Sequence, residues 1–284
     1  MRVRLGAALF VLCALLAAGC GGPPPSLEIS RATDTPAVYR VSAEAESRFS
    51  GPVSDLKSGT EFTAAFEVTP ASGSKVEVEV LYLAASVRNA EGNYVALDLG
   101  PLAGKKAEVI MEPPGEVSEI RGDSTLLDAP IPLISIRETI ASLFPPLPQE
   151  ELQKGDTWTG DILVPFANLG GPEQRMRFLL DGINSSEGEA RIEGYELSTK
   201  PRSFDSETAG GGISGEGALD VVFDGRLRSK EGYEWTRRTA EFDSRFIRIS
   251  GSGYANGSLH MEGKTTVEKL GPAEQFGLDP GAER

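Results

Sequence analysis

The chain has 284 residues, with 28 Lys plus Arg, 42 Asp plus Glu, one His and two Cys, enough for one large domain or two small ones. One histidine and two cysteines argue against a zinc cluster, a disulfide framework and a Cys–His dyad. Hydrophobic residues at 39% and charged residues at 25% exclude a fibrous or polytopic membrane protein, while 33 Gly and 19 Pro point to many turns and short elements.

Arg2 and Arg4 precede an apolar stretch from Leu5 to Ala18, shorter than the roughly 20 residues of a membrane-spanning helix. It ends in Leu16-Ala17-Ala18-Gly19-Cys20, which resembles the lipobox of bacterial lipoprotein precursors. The resemblance implies cleavage between Gly19 and Cys20 and a lipid-bearing Cys20 at the head of the mature chain. Ala17 departs from the family pattern, which more often has Leu, Val or Ile there. The alternative is an ordinary secretory signal with a chance cysteine at its end. Cys13 would leave with the signal, so the one remaining cysteine is an anchor and not a redox group.

Loss of Arg2 and Arg4 with residues 1–19 moves the net charge from −14 to −16. A lipoprotein carries two or three acyl chains, and two or more anchor stably. So acidic a body is repelled by anionic headgroups and stands off the bilayer. Nucleic acid is excluded as a partner by the same charge.

Residues 20–36 form a lipidated N-terminus and a Pro- and Gly-rich tether, at most about 50 Å long at about 3.1 Å per residue. From Ala37 the pattern alternates. Lys75-Val76-Glu77-Val78-Glu79-Val80 reads as a half-buried strand with valines on one face. Further strands are expected at 38–46, 61–68, along the rest of 75–88, at 94–99 and at 107–111, with turns such as Ala90-Glu91-Gly92-Asn93 between them. The second half repeats the texture, with strands expected at 157–164, 175–180, 190–197, 218–227, 233–242, 245–250 and 258–269. Turns are expected at Glu187-Gly188 and Glu231-Gly232, and residues 209–217 (AGGGISGEG) read as a loop.

One helix is expected between the halves. Pro132 suits a first helical position and Pro145-Pro146 a stop. Leu133, Ile136, Ile140, Leu143 and Phe144 make one apolar stripe, widened by Ile131 and Ile134, with Ser135, Glu138, Thr139 and Ser142 opposite. Such a helix must dock on a sheet or cover a cavity, so Ile134, Ile140 and Leu143 are candidate linings for an apolar ligand.

Residues 56–63 (LKSGTEFT) match 152–159 (LQKGDTWT) without gaps, which suggests two related halves in which a glycine makes a tight turn before a strand with an inward aromatic. Leu147-Pro148 and Leu152-Gln153-Lys154-Gly155-Asp156-Thr157-Trp158 also resemble a group of uncharacterised bacterial secreted β-rich proteins, with a Pro-rich connector and a Gly-Asp-x-Trp turn. That resemblance implies a layout and no activity. In architecture alone, the chain is similar to periplasmic lipid carriers, whose curved sheet with helical cover encloses acyl chains.

Motifs for chemistry fail one by one. Gly263-Lys264-Thr265 lacks the phosphate-loop glycine, since position 258 is Ser258, and it alternates like a strand. His260 alternates with Leu259 and Met261 and so faces solvent with Glu262 and Lys264, which gives no serine–histidine–aspartate site. Glu77 and Glu79, Glu150 and Glu151, and Asp220 and Asp224 read as acidic surface and not as a glycosidase pair. Arg121-Gly122-Asp123 reads as a chance adhesion tripeptide. Asn184-Ser185-Ser186 and Asn256-Gly257-Ser258 match glycosylation sequons, which carry little weight in a bacterial chain.

The expected fold is therefore mainly β, a β-rich α+β chain of two related antiparallel halves joined by a short amphipathic helix, with a half-barrel under helical cover as one form. The expected segments are the signal 1–19, the tether 20–36, an N-terminal half 37–128, a helical connector 129–148, a C-terminal half 149–272 and a tail 273–284. The expected role is a non-enzymatic, membrane-anchored bacterial envelope lipoprotein outside the cytoplasm, on the outer membrane if the cell has two. Its partners are the membrane through the lipid and envelope proteins or an apolar ligand, with no cofactor and no metal. A lipid carrier is the alternative, and a hydrolase a more distant one.

Overall fold

The computed structural model describes residues 26–27, 36–51, 55–72, 74–89, 91–112, 116–148, 151–164, 173–184, 186–197, 201–208, 211–228, 232–249 and 256–271. The signal, most of the tether including Cys20, and the tail 273–284 lie outside these residues. Strands run in chain order as β1 (Ser26–Leu27), β2 (Ala37–Ser50), β3 (Asp55–Pro70), β4 (Lys75–Arg88), β5 (Tyr94–Leu97), β6 (Lys106–Glu112) and β7 (Glu116–Gly122). After two short helices, α1 (Ser124–Leu127) and α2 (Ile136–Ala141), come β8 (Leu152–Gln153), β9 (Thr157–Leu163), β10 (Glu173–Asn184) and β11 (Glu189–Glu196). The last four are β12 (Arg202–Thr208), β13 (Gly211–Arg228), β14 (Gly232–Ile249) and β15 (Asn256–Lys269).

The fold is mainly β, as the alternation predicts, and all pairings are antiparallel. One sheet runs β7-β6-β4-β3-β2-β15-β14-β13-β11-β10-β9, with β5 beside β4 and β12 beside β13. The two halves of the chain meet where β2 pairs β15 in one unbroken register from Tyr39↔Lys269 to Ser50↔Ser258. Curvature brings the free edges β7 and β9 toward each other, so the sheet is nearly closed. Among the described residues no helix is long and apolar enough to cross a membrane.

The concave side is the core. Val76, Val78 and Val80 point into it with Val41, Phe62, Phe66, Phe178, Phe223 and Phe242. Period-two alternation explains most of this, because a half-buried strand must place every second residue inside. A bulge between Ala65 and Phe66 breaks the parity and buries both.

Three expectations need correction. The segment 211–217 is not a loop but the start of β13, paired with β12 and β14. Its glycines fit where side chains cannot: a Cβ on Gly217 would stand 2.4 Å from the Asp243 carbonyl oxygen and 2.5 Å from the Phe242 ring. Residues 245–249 are not a separate strand but continue β14. The expected repeat is not repeated in shape, since Gly59 lies inside β3 opposite Glu46 while Gly155 makes a turn at φ +94°.

The helix is also shorter than expected. It starts at Ile136 instead of Pro132, because Leu133 takes φ +65° and Ser135 caps the first turn through its hydroxyl. The Pro132 carbonyl instead accepts a hydrogen bond from Thr60 Oγ1 at 2.6 Å. Thr139 and Ser142, expected outside, are fully buried. Their hydroxyls donate back to the Ser135 and Thr139 carbonyls, which satisfies them without water.

Candidate functional site

The site lies at the seam between β7 and β9, where the connector 124–148 enters the concave face. Asp123 caps α1, and α2 then presents Arg137, whose Nη1 donates to the Ile120 carbonyl of β7 at 2.8 Å. On the other edge Trp158 Nε1 of β9 donates to the Pro146 carbonyl at 3.1 Å. Gly160 lets β9 come this close, since a Cβ there would stand 2.4 Å from Pro146 Cβ. Across the seam Arg175 of β10 reaches Asp161 of β9 at 2.9 Å and Glu116 of β7 at 3.9 Å.

One row of side chains crosses the inner face below this seam. In pairing order it runs Trp158, Phe178, Gly194, Phe223, Arg238, Thr265, Ala43 and Phe62. Trp158 stacks on Phe178 at 5.5 Å, and Phe178 meets Phe223 edge-on at 5.2 Å. Gly194 makes room for that pair, because a Cβ there would lie 3.0 Å from both.

Arg238 is the exception in this row, a charged group only 3% exposed. Its Nη2 donates to the Ser142 carbonyl at 3.0 Å and its Nη1 to the Leu163 carbonyl at 3.4 Å. The guanidinium lies 5.8 Å from the Phe223 ring centre. No carboxylate pairs with it among the described residues, and its Nε has no hydrogen-bond partner. Burial pulls its pKa down to about 10, and it stays charged at neutral pH. Nearby, the hydroxyls of Tyr233, Thr236 and Thr265 also find no partner. Tyr233 meets the same Phe223 ring, Thr236 precedes Arg238 by two residues on one strand face, and Thr265 is its cross-strand neighbour.

Arg238 forms part of the wall of a cleft of about 110 Å³ in the seam. The other walls are Val117, Ala141, Phe144, Pro146, Ile162 and Leu163, with Glu116 and Asp161 at the half-exposed rim. Chemically, this is a buried cation beside an apolar slot with two carboxylates at its rim.

Two further clefts lie on the outer face. One, about 300 Å³, is lined by Glu44, Glu46, Glu61, Glu262, Lys264 and Tyr94 among others. The other, about 590 Å³, holds Trp235 with Arg191, Arg226 and Arg237. Close by the first, His260 Nδ1 lies 2.8 Å from the accepting Asp243 carboxylate and 3.9 Å from that of Glu241.

Of the residues singled out in the sequence, Ile134, Ile140 and Leu143 are 2%, 0% and 6% exposed and belong to the core cluster; none lines the three clefts above. Gly19 and Cys20 lie outside the described residues, as does Glu150. His260 faces outward, and Lys264 and Thr265 sit in β15. Glu77 and Glu79 pair with Lys106 at 2.6 and 3.2 Å, and Asp220 and Asp224 flank an exposed Val222. Arg121 pairs with Glu119 at 2.6 Å while Asp123 serves as a helix cap, so the tripeptide is structural. Asn184 bonds Ser186 and Glu187, and Asn256 opens β15. Arg238 was missed. Its parity with Ala240 and Phe242 was the available signal, and alternation alone places it inside.

No known family matches the chain, and no curated protein matches it in sequence. Among solved structures, DynF from the dynemicin biosynthesis pathway of Micromonospora chersina aligns over 90% of this chain and 89% of its own, at 9% identity and a TM-score of 0.24. A domain assigned to outer membrane lipoprotein sorting from Vibrio parahaemolyticus aligns over 85% and 89%, at 7% identity and 0.19. A DUF1329 family protein from Desulfovibrio piger aligns over 89% and 93%, at 8% identity and 0.19. Superpositions this poor carry no argument about function.

Proposed function

We propose that the protein is a bacterial envelope lipoprotein, held to its membrane through Cys20, whose β body acts by contact and not by catalysis. The observation that carries the second half is the occupied concave face. Ile134, Ile136 and Ile140 of the connector fill it from within, all 2% exposed or less, in one cluster with Phe66, Phe178 and Phe242. A carrier of acyl chains needs that volume for its ligand. On the convex face, Tyr195 and Val222 sit directly opposite each other on β11 and β13, at 47% and 54% exposure. Apolar side chains paired on an otherwise charged surface suit contact with another protein. The first half rests on Arg2, Arg4, the apolar stretch and the run Leu16-Ala17-Ala18-Gly19-Cys20.

Metabolic labelling with palmitate tests the anchor. Label on the wild type, absent from Cys20→Ala, is the expected result, and an unlabelled wild type overturns it. Native mass spectrometry of the chain released from detergent tests the contact reading. A mass explained by the protein and its anchor is expected, whereas a non-covalent lipid retained by Cys20→Ala restores the carrier.

A further inference from the structure

We propose that the seam cleft at Arg238 binds a short-chain carboxylate, its anionic head on the guanidinium and its alkyl tail between Val117, Ala141, Phe144 and Ile162. The site is separate from the anchor and from any contact surface, so it stands or falls independently of the function proposed above.

The first argument is the buried charge. A guanidinium taken out of water is costly unless it is paired, and carbonyl oxygens compensate only part of that cost. Arg238 has two carbonyls, an aromatic face and an Nε without a partner. The guanidinium donates only to neutral carbonyls, and a carboxylate supplies the negative charge and the lone pairs in the plane that a guanidinium fork matches.

The second argument is shape. Arg238 is one wall of the cleft of about 110 Å³, whose other walls are apolar side chains of β7, the connector and β9 with the carboxylates of Glu116 and Asp161. At about 30 Å³ for a water in the liquid, the space is that of about four waters, which suits a short-chain and not a long-chain ligand. A free phosphate would leave the apolar walls unmatched, and a long acyl chain would require the connector to move. Glu116 and Asp161 at the rim would repel an anion if left alone, but Arg175 bridges both. That bridge makes the rim the place where binding can be tuned.

Isothermal titration of the full chain in detergent tests this with butyrate, butyramide, inorganic phosphate and palmitate. Butyrate is expected to bind once per chain, butyramide and phosphate at least about tenfold more weakly. Equal binding of butyramide overturns the charge role, and equal binding of phosphate overturns the carboxylate class. Palmitate tighter than butyrate overturns the size limit. Arg238→Lys, which keeps charge but loses the fork, is expected to weaken butyrate about tenfold; an unchanged affinity in the folded variant overturns the proposal. Should that variant not fold, Val117→Trp on the edge strand fills the cleft and is expected to abolish butyrate binding, and full binding by it overturns the site.

Discussion

Asp123 illustrates how much one exposed side chain can organise. Its carboxylate accepts from the Thr125 backbone N–H at 2.8 Å, from the Thr125 hydroxyl at 2.7 Å and from Lys105 Nζ at 2.7 Å. Those contacts hold its pKa down at about 2, Lys105 contributing most. A carboxyl whose folded pKa lies below its unfolded value of about 4 stabilises the fold above that value and ceases to do so as pH falls toward 2. Asp123→Asn should therefore lower the melting temperature at pH 6, with the gap to wild type closing as pH drops from about 4 to about 2. A gap independent of pH would show that the charge is not what Asp123 contributes. The alkaline limb has the opposite sign. Tyr39, 8% exposed on β2, has its pKa pushed up to about 12 by burial, and Tyr233 is raised further by the same cause. Between about pH 10 and 12 the unfolded chain loses phenolic protons that the folded chain keeps, so stability falls as pH rises. Arg238 works against this, since its folded pKa is lowered, but two tyrosines oppose one arginine. Tyr39→Phe should flatten the fall in urea midpoint across that range, and an unchanged slope would remove Tyr39 from the account. None of this was legible beforehand: the tripeptide Arg121-Gly122-Asp123 was visible, but only the packing of Lys105 against it turns Asp123 into a cap.

At the scale of elements, the sequence was read well where one rule governs and poorly where two compete. Strands such as β4 and β15 have one wet face and one dry face, so period-two alternation is their dominant constraint and their positions were clear. β7 (EVSEIRG) escaped because only Ile120 is buried along it, an edge strand whose alternation has almost no apolar side. The glycine-rich start of β13 escaped because composition suggests a loop while close approach of β14 demands glycine. The connector had the right stripe and the wrong length. Its apolar residues are buried whether helical or not, because the segment is enclosed by sheet, and a local clash of rules at Leu133 sets the helix start. This makes the connector part of the core and not a cover laid on it. Ile140→Ala, at a fully buried position, should cost about 2–5 kcal/mol in urea unfolding, whereas Leu56→Ala, at 61% exposure, should be nearly silent. Equal small effects at both would mean that the connector is only loosely held. Gly160→Ala tests the same seam from the strand side, since its Cβ must displace Pro146. A stability matching wild type there would mean that β9 and the connector can separate without cost.

For the whole molecule, the decisive pairing is β2 with β15. It joins residues near the start of the body to those near its end, and through it the strands of both sequence halves share one hydrogen-bonded surface. The inner row from Trp158 through Phe178, Phe223, Arg238 and Thr265 to Ala43 and Phe62 crosses that joint without a break. Neither half closes its own core, because the connector that fills the concave face draws on both: Thr60 of β3 binds Pro132, while Arg238 of β14 binds Ser142. A body built this way should unfold as a unit. Urea melts followed by tryptophan fluorescence, which reports Trp158 and Trp235 in the second half, and by far-ultraviolet dichroism, which reports the whole sheet, should coincide in one transition. Two separated transitions would mean that the halves are autonomous despite their shared sheet. The pairing also predicts which cut is fatal. Removing residues 256–271 deletes β15, frees the edges of β2 and β14 at once, and exposes two long strands of hydrogen-bonding groups. That truncated chain should aggregate instead of folding, and a soluble, cooperatively melting product would place the joint elsewhere than at β2 and β15.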